Sequence, residues 1–324
     1  LVTARAVALV GEQQAVKRAQ VLQTNMHDAA TGAGTVLAHL RWRSDVVRRA
    51  AADKALARAV EDADEAAMQS VCERLYADSE APANGVPSRF DLWMILDREG
   101  ILRAQFGKQG ALPAGLERDF KWRDYFIGAQ KIANAGEHLT HISRAFRSEH
   151  DQKHKFAIST PIYGKDGRLA AVLVAGVAAD AKLLSPALDS AQSVTVLAAP
   201  RDLERLPDRD TRLPYLILRH RALDPGASIG TADEQVRRVG ESEPDGDRDP
   251  LWPAALERLE STHDYIDPVG EINADYIGKW STGFAPVGST GWVVIVQSQD
   301  AETMKPELTL VRQLAKSIAI SAIP

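Results

Sequence analysis

Residues 156–177 read FAISTPIYGKDGRLAAVLVAGV. Phe156, Ile158 and Ile162 alternate toward one face, Lys165-Asp166-Gly167 supplies a tight turn, and an apolar run follows it. That pattern predicts an antiparallel hairpin of two long strands. Just before it, HISRAFRS (141–148) is strand-like, and FKWRDYFIGAQK (120–131) reads as a short helix. Further upstream, FDLWMILDREGILRAQFG (90–107) has apolar runs on both sides of Arg98-Glu99-Gly100, which predicts another hairpin. Residues 89–180 therefore read as strand, strand, helix and then three strands.

A weaker copy of this order follows. SVTVLAAP (193–200) and LPYLILRH (213–220) read as strands, and a Gly- and Pro-rich acidic stretch at 224–250 reads as a long surface loop. PLWPAALERLES (250–261) predicts a helix. HDYIDPV (263–269) and YIGKWSTGFAPVGSTGWVVIVQSQ (276–299) predict strands with a GSTG turn, and a last helix is expected over 301–320. Ahead of both copies, residues 4–50 read as one very long Ala-rich helix without proline. Gly32 and Gly34 form a soft spot in its middle. Residues 53–76 predict one or two more helices, and SEAPANGVPS (79–88) breaks the pattern. Runs of strands with segregated helices predict an α+β fold with mainly antiparallel sheets.

Composition narrows the function. The chain has 324 residues, a net charge of −5, 45% hydrophobic and 26% charged residues. Such a balance is ordinary for a globular chain and carries no basic stripe for nucleic acid. The single cysteine, Cys72, rules out an internal disulfide and sits in a helical pattern as a small core residue. No run of 18 apolar residues occurs. The ends LVTARAVALV and SIAISAIP look cut from a longer chain, and both are expected to point to one membrane. No nucleophile elbow, phosphate loop, dinucleotide fingerprint or zincin motif occurs, so no catalytic residue, cofactor or metal site is assigned. His150 and His154 have a chelating spacing only if helical, and Glu149 to His154 instead read as a solvated turn between strands. Trp280 and Trp292 flank the last hairpin and read as core.

The segment 120–131 is unusual. Only 6% of the chain is aromatic, yet Phe120, Trp122, Tyr125 and Phe126 fall within seven positions around Arg123. A guanidinium between apolar walls suits recognition of a small carboxylate. The competing reading packs the rings on the sheet and pairs Arg123 with Asp119 or Asp124 at the surface.

WRDYF with the downstream HISRAFRS, the 156–177 hairpin and the closing WSTGFAPVGSTGWVVIV resemble, in order and spacing, the double Cache extracytoplasmic sensor domain of bacterial transmembrane receptors. The resemblance covers nearly the whole chain. It implies a helical stalk over 1–80 and a membrane-distal PAS-like ligand module over 81–185. A membrane-proximal PAS-like module then spans 186–300, and a C-terminal helix over 301–324 leads to the membrane. Arg123, Tyr125 and Phe126 match the Arg-x-Trp-Tyr pattern of the amino-acid-binding subset, with Tyr for Trp and Phe for Tyr. His141 falls near a strand Tyr of that subset. The subset's amine-binding Asp falls at Gly176, or at Asp180 in a shifted register. Trp93, Ser143, Arg144 and Tyr163 are further ligand-binding candidates from neighbouring strands. The implied function is a non-enzymatic, periplasmic sensor of an inner-membrane receptor, of histidine kinase, Ser/Thr kinase, chemoreceptor or cyclase type. Its expected partners are a small carboxylate or amino acid and a second receptor copy, paired weakly in the isolated domain. A soluble binding protein and an enzyme on a PAS-like scaffold are the alternatives.

Overall fold

The computed structural model describes residues 2–80, 90–108, 110, 118–148, 154–178, 183, 189–190, 193–200, 202, 215–223, 238–239, 261–271 and 273–300. The expected break at 81–88, the helix over 250–260, the C-terminal helix over 301–324, Asp180 and Glu149 to Asp151 lie outside these residues, as does most of the 224–250 loop.

Helix α1 (Val2–Ala51) is continuous through Gly32 and Gly34. Alanine content and the absence of proline allow this length, since each residue adds a hydrogen bond at little entropic cost. The region after it resolves into two helices, α2 (Lys54–Glu61) and α3 (Glu65–Glu80). Asp53 caps α2 by accepting the Ala55 N–H at 2.8 Å. Cys72 of α3 is fully buried, and burial, aided by the charge of Glu73, pushes its thiol pKa up to about 12. That thiol is a packing group with no thiolate character at neutral pH.

The chain divides into two compact units. One comprises residues 36–183 with 199–213, the other residues 1–35, 184–198 and 214–324. The first unit holds β1 (Leu92–Asp97), β2 (Leu102–Gly107), α4 (Asp124–Asn134), β3 (His141–Ile142), β4 (Phe146–Arg147), β5 (His154–Tyr163) and β6 (Leu169–Ala178). Its antiparallel sheet has the order β2-β1-β6-β5-β3, with β4 also pairing β5. At the β5–β6 turn, Gly167 takes φ +73° while the Gly164 and Arg168 backbones bond at 2.9 Å. Leu92, Met94 and Leu96 of β1, Ala157 of β5 and Val172 and Val174 of β6 form one apolar face. Phe120, Tyr125, Phe126 and Ala129 pack on it together with Phe146.

The second unit holds β7 (Ser193–Pro200), β8 (Tyr215–Arg219), β9 (Arg238–Val239), β10 (Thr262–Ile266), β11 (Lys279–Pro286) and β12 (Val293–Gln299). Its sheet runs β10-β11-β12-β7-β8-β9. Trp280 packs in its core with Tyr265, Tyr276 and Phe284. Trp292 is fully buried. Here helix α1 meets the sheet. Asn25, 2% exposed, donates from Nδ2 to the Ser281 carbonyl at 2.7 Å and accepts from Ser298 Oγ at 3.1 Å. Gly283 lets the helix backbone come this close, because a Cβ there would overlap backbone atoms of Asn25 and Met26.

Candidate functional site

The N-terminus of α4 collects the charged groups. Arg123 is the N-cap, in extended conformation and without a capping side-chain bond, because a guanidinium has no acceptor to offer the free N–H groups. It is 1% exposed, so it does not lie at the surface as the competing reading of the sequence had it. Lys121 pairs with Asp119 at 2.8 Å. The Arg123 guanidinium stacks 4.0 Å from the centre of the Trp122 ring and 5.2 Å from that of Phe146. Desolvated cation–π contacts of this kind hold a guanidinium in an apolar wall. Tyr125 leans on Phe146 at 5.5 Å between ring centroids, and the Tyr125 carbonyl accepts Ser159 Oγ–H at 2.7 Å.

Asp124, the first residue of the helix, is held mainly through one oxygen. Its Oδ2 receives His141 Nε2 at 2.9 Å and the Arg144 backbone N–H at 2.8 Å, and Oδ1 lies 3.9 Å from Arg144 Nε. Burial works to raise its pKa, but the bond and charge of His141 and then those of Arg144 outweigh burial and leave it lowered. His141 fits over α4 because residue 128 is glycine.

A second carboxylate arrives from far along the chain. Asp202 donates its N–H to the Ala145 carbonyl at 2.7 Å, and Ala145 donates to the Pro200 carbonyl at 2.8 Å. This short pairing sets the Asp202 carboxylate at the start of α4, where it accepts the Asp124 N–H. It thus satisfies one of the helix donors that Arg123 cannot. Burial first, then the charge of Asp124, raises the Asp202 pKa, while Arg123 and Arg144 oppose the rise.

Of the residues named from sequence, Arg123, Tyr125, Phe126, His141 and Arg144 come together here. Ser143 lies beside them, with its hydroxyl engaged by the Arg144 carbonyl and the Ala157 N–H, both at 2.8 Å. Gly176 lies on the α4 side of the sheet, paired with Leu92 and Ala157, and an added Cβ would meet Leu92 Cβ at 3.2 Å. Trp93 is buried on the opposite face against Phe90. Tyr163 lies at the other end of α4, where its hydroxyl donates to the Glu137 carbonyl and its ring meets His138. Asp202, Phe146 and Gly128 were not foreseen, and only Phe146, as an aromatic in a strand-like segment beside the helix, carried a local signal.

A separate groove of about 1020 Å³ runs past the β1–β2 and β5–β6 turns, lined by Glu65, Asp97, Arg98, Arg103, Asp166 and Arg168 among others. Asp97 and Arg103 pair across 2.7 Å within it. Among the described residues no cluster of three or more His, Cys, Asp or Glu could hold a metal, and no helix is long and apolar enough to cross a membrane.

No protein-family model and no curated protein matches the sequence. Solved structures do match. The ligand-binding domain of the Pseudomonas fluorescens chemoreceptor CtaA in complex with L-isoleucine aligns with a TM-score of 0.51 at 14% identity, over 90% of this chain and 98% of that one. The corresponding domain of the Campylobacter jejuni chemoreceptor Tlp3 in complex with L-norvaline gives 0.53 at 12% identity, over 90% and 95%. The Tlp3 sensory domain gives 0.54 at 11% identity, over 90% and 98%. The architecture is thus the double Cache, PAS-like arrangement of chemoreceptor sensor domains.

Proposed function

We propose that this chain is the extracytoplasmic sensor domain of a transmembrane signalling receptor, and that residues 81–185 bind a small organic anion or amino acid. The observation that carries the reading is Arg123, a guanidinium buried between aromatic rings at the start of α4. A bidentate carboxylate fits the planar fork of a guanidinium, and the rings beside it supply apolar walls. Tyr125, Phe126 and His141 stand beside it as ligand-facing groups. The amino acids bound by two domains of the same fold support this ligand class.

The chain itself carries out no chemistry in this reading. Ligand binding biases α1, the helix that contributes to both units, toward one of two arrangements. Flanking segments anchor the domain in the inner membrane with the domain on the periplasmic side, and a second receptor copy completes the signalling unit. The isolated domain self-associates weakly. The output type is open among histidine kinase, Ser/Thr kinase, chemoreceptor and cyclase.

A thermal-shift screen of amino acids, plain carboxylates, amines and sugars tests this. A ligand at about 100 times its Kd adds about 2.7 kcal/mol. For a domain this size that corresponds to a rise of roughly 2–4 °C. Carboxylate-bearing hits that vanish in Arg123→Ala support the reading. Hits confined to cations and sugars, or unchanged in that variant, contradict it.

A further inference from the structure

The sheet of the second unit carries a polar cluster inside its apolar core. Thr282 stands between the core residues Trp280 and Phe284 on β11, and strand alternation puts all three on one face. Opposite it on β12 is Gln297, which follows the core residue Ile295 on the same face. Both polar residues are 0% exposed, and Thr282 Oγ1 and Gln297 Oε1 have no hydrogen-bond partner among the described residues. Side chains opposed in this way have Cβ atoms about 4.5–5.5 Å apart, yet these two polar atoms do not bond each other. Gln297 is oriented by its amide, whose Nε2–H donates to Asp267 Oδ2. Asp267 is 2% exposed and also accepts His220 Nε2–H at 3.1 Å and the Val269 N–H at 2.9 Å. His220 Nδ1 accepts the Ala222 N–H at 3.1 Å, so the ring proton is on Nε2 and the imidazole is neutral. Arg221 is turned elsewhere, to the Tyr276 hydroxyl at 3.1 Å and the Ser190 carbonyl at 2.8 Å. The Asp267 carboxylate thus has three neutral donors and no countercharge. A buried charge of this kind, next to two polar atoms without partners, is costly, and native proteins keep such groups where something binds them.

We infer that this face is a second binding site, for a small primary ammonium cation. The ammonium donates to Gln297 Oε1 and Thr282 Oγ1, and Asp267 supplies the missing countercharge. Trp280 and Phe284 flank Thr282, and aromatic rings of this kind favour a desolvated cation. A neutral alcohol could make the hydrogen bonds but would leave the carboxylate uncompensated, and an anion would be repelled by it. The site uses none of the α4 residues, so it stands or falls separately from the carboxylate reading of Arg123.

Propylammonium, propan-1-ol and propanoate, one chain length with three charges, test it by calorimetry on the 324-residue domain at neutral pH. The wild type should bind propylammonium at least about tenfold more tightly than propan-1-ol, as a charge-assisted hydrogen bond provides. Propanoate should not displace it. Thr282→Val removes the hydroxyl at nearly constant size. That variant should weaken propylammonium by about tenfold or more. Its melting temperature without ligand should hold or rise, because the hydroxyl it loses has no partner. Asp267→Asn should remove the preference for the cation over the alcohol, and Thr282→Val carries the test alone if that variant does not fold. No propylammonium binding to the wild type, or equal affinity for propan-1-ol, overturns the inference. So does propylammonium binding that is unchanged in Thr282→Val. A lowered melting temperature of unliganded Thr282→Val also overturns it, since the hydroxyl would then already serve the fold. None of these results bears on Arg123, whose role is decided by the carboxylate screen.

Discussion

Gly128 lies directly beneath the imidazole of His141, so closely that a Cβ at position 128 would overlap the ring. The same imidazole holds Asp124 at 2.9 Å. A helix glycine thus sets the position of a carboxylate bonded across to a strand.

Gly128→Ala should therefore destabilise the domain by about 1–3 kcal/mol through overpacking. In an open helix the same change would stabilise by roughly 1 kcal/mol. In a His141→Ala background the overlap is gone, and Gly128→Ala should become neutral or stabilising. Urea denaturation of the four proteins in the cycle measures the reversal. A destabilisation that persists without His141 would refute the packing argument.

The neighbouring carboxylates should respond to pH in opposite senses. Asp124 has a folded-state pKa below its unfolded value. Its contribution is present above the unfolded pKa and is lost as pH falls through the folded pKa. Asp202 has a folded pKa above its unfolded value, so its ionised form opposes folding at neutral pH, and that cost fades as pH falls. Asp124→Asn should lower neutral-pH stability by about 1–2 kcal/mol, with the difference closing in acid. Asp202→Asn should raise neutral-pH stability, with that gain also closing in acid. Melting curves from pH 7 down to about 3, spanning ordinary carboxylate pKa values, check both signs.

In the unit containing residues 1–35, Asn25 and Gly283 fasten α1 to the β11–β12 pair. Asn25→Leu should cost about 1–3 kcal/mol, because the Ser281 carbonyl and Ser298 hydroxyl lose buried partners. Gly283→Ala should cost a similar amount or more, since the overlap is with backbone that no side-chain rotation relieves. Denaturant midpoints measure both. A neutral Gly283→Ala would show that the helix does not sit this close.

Much of this architecture was legible in local patterns. The alternation and the Lys165-Asp166-Gly167 turn specify β5–β6, and the proline-free alanine run specifies α1. What stayed hidden is long-range. Periodicity cannot tell that β1 pairs with β6, a pairing that closes a loop of many tens of residues. It splits HISRAFRS into two short strands only once Ser143 and Ala145 find their partners. At the site, Arg123 and its aromatic neighbours stand out because they are rare and adjacent. Asp202 does not, since its position depends on the backbone bonds between Ala145 and the Pro200–Asp202 segment. Trp93 was misleading for the same reason that strands are readable. Successive side chains alternate faces, and its position puts it on the side away from α4.

The central claim is that Arg123 receives a ligand carboxylate. A crystal structure of the domain grown with the strongest carboxylate from the screen tests it most directly. The account predicts the carboxylate within hydrogen-bond distance of the Arg123 guanidinium, with Tyr125 and Phe126 against the ligand's apolar part. A ligand seated instead in the groove beside Asp97 and Arg103, with Arg123 still enclosed by Trp122 and Phe146, would contradict it.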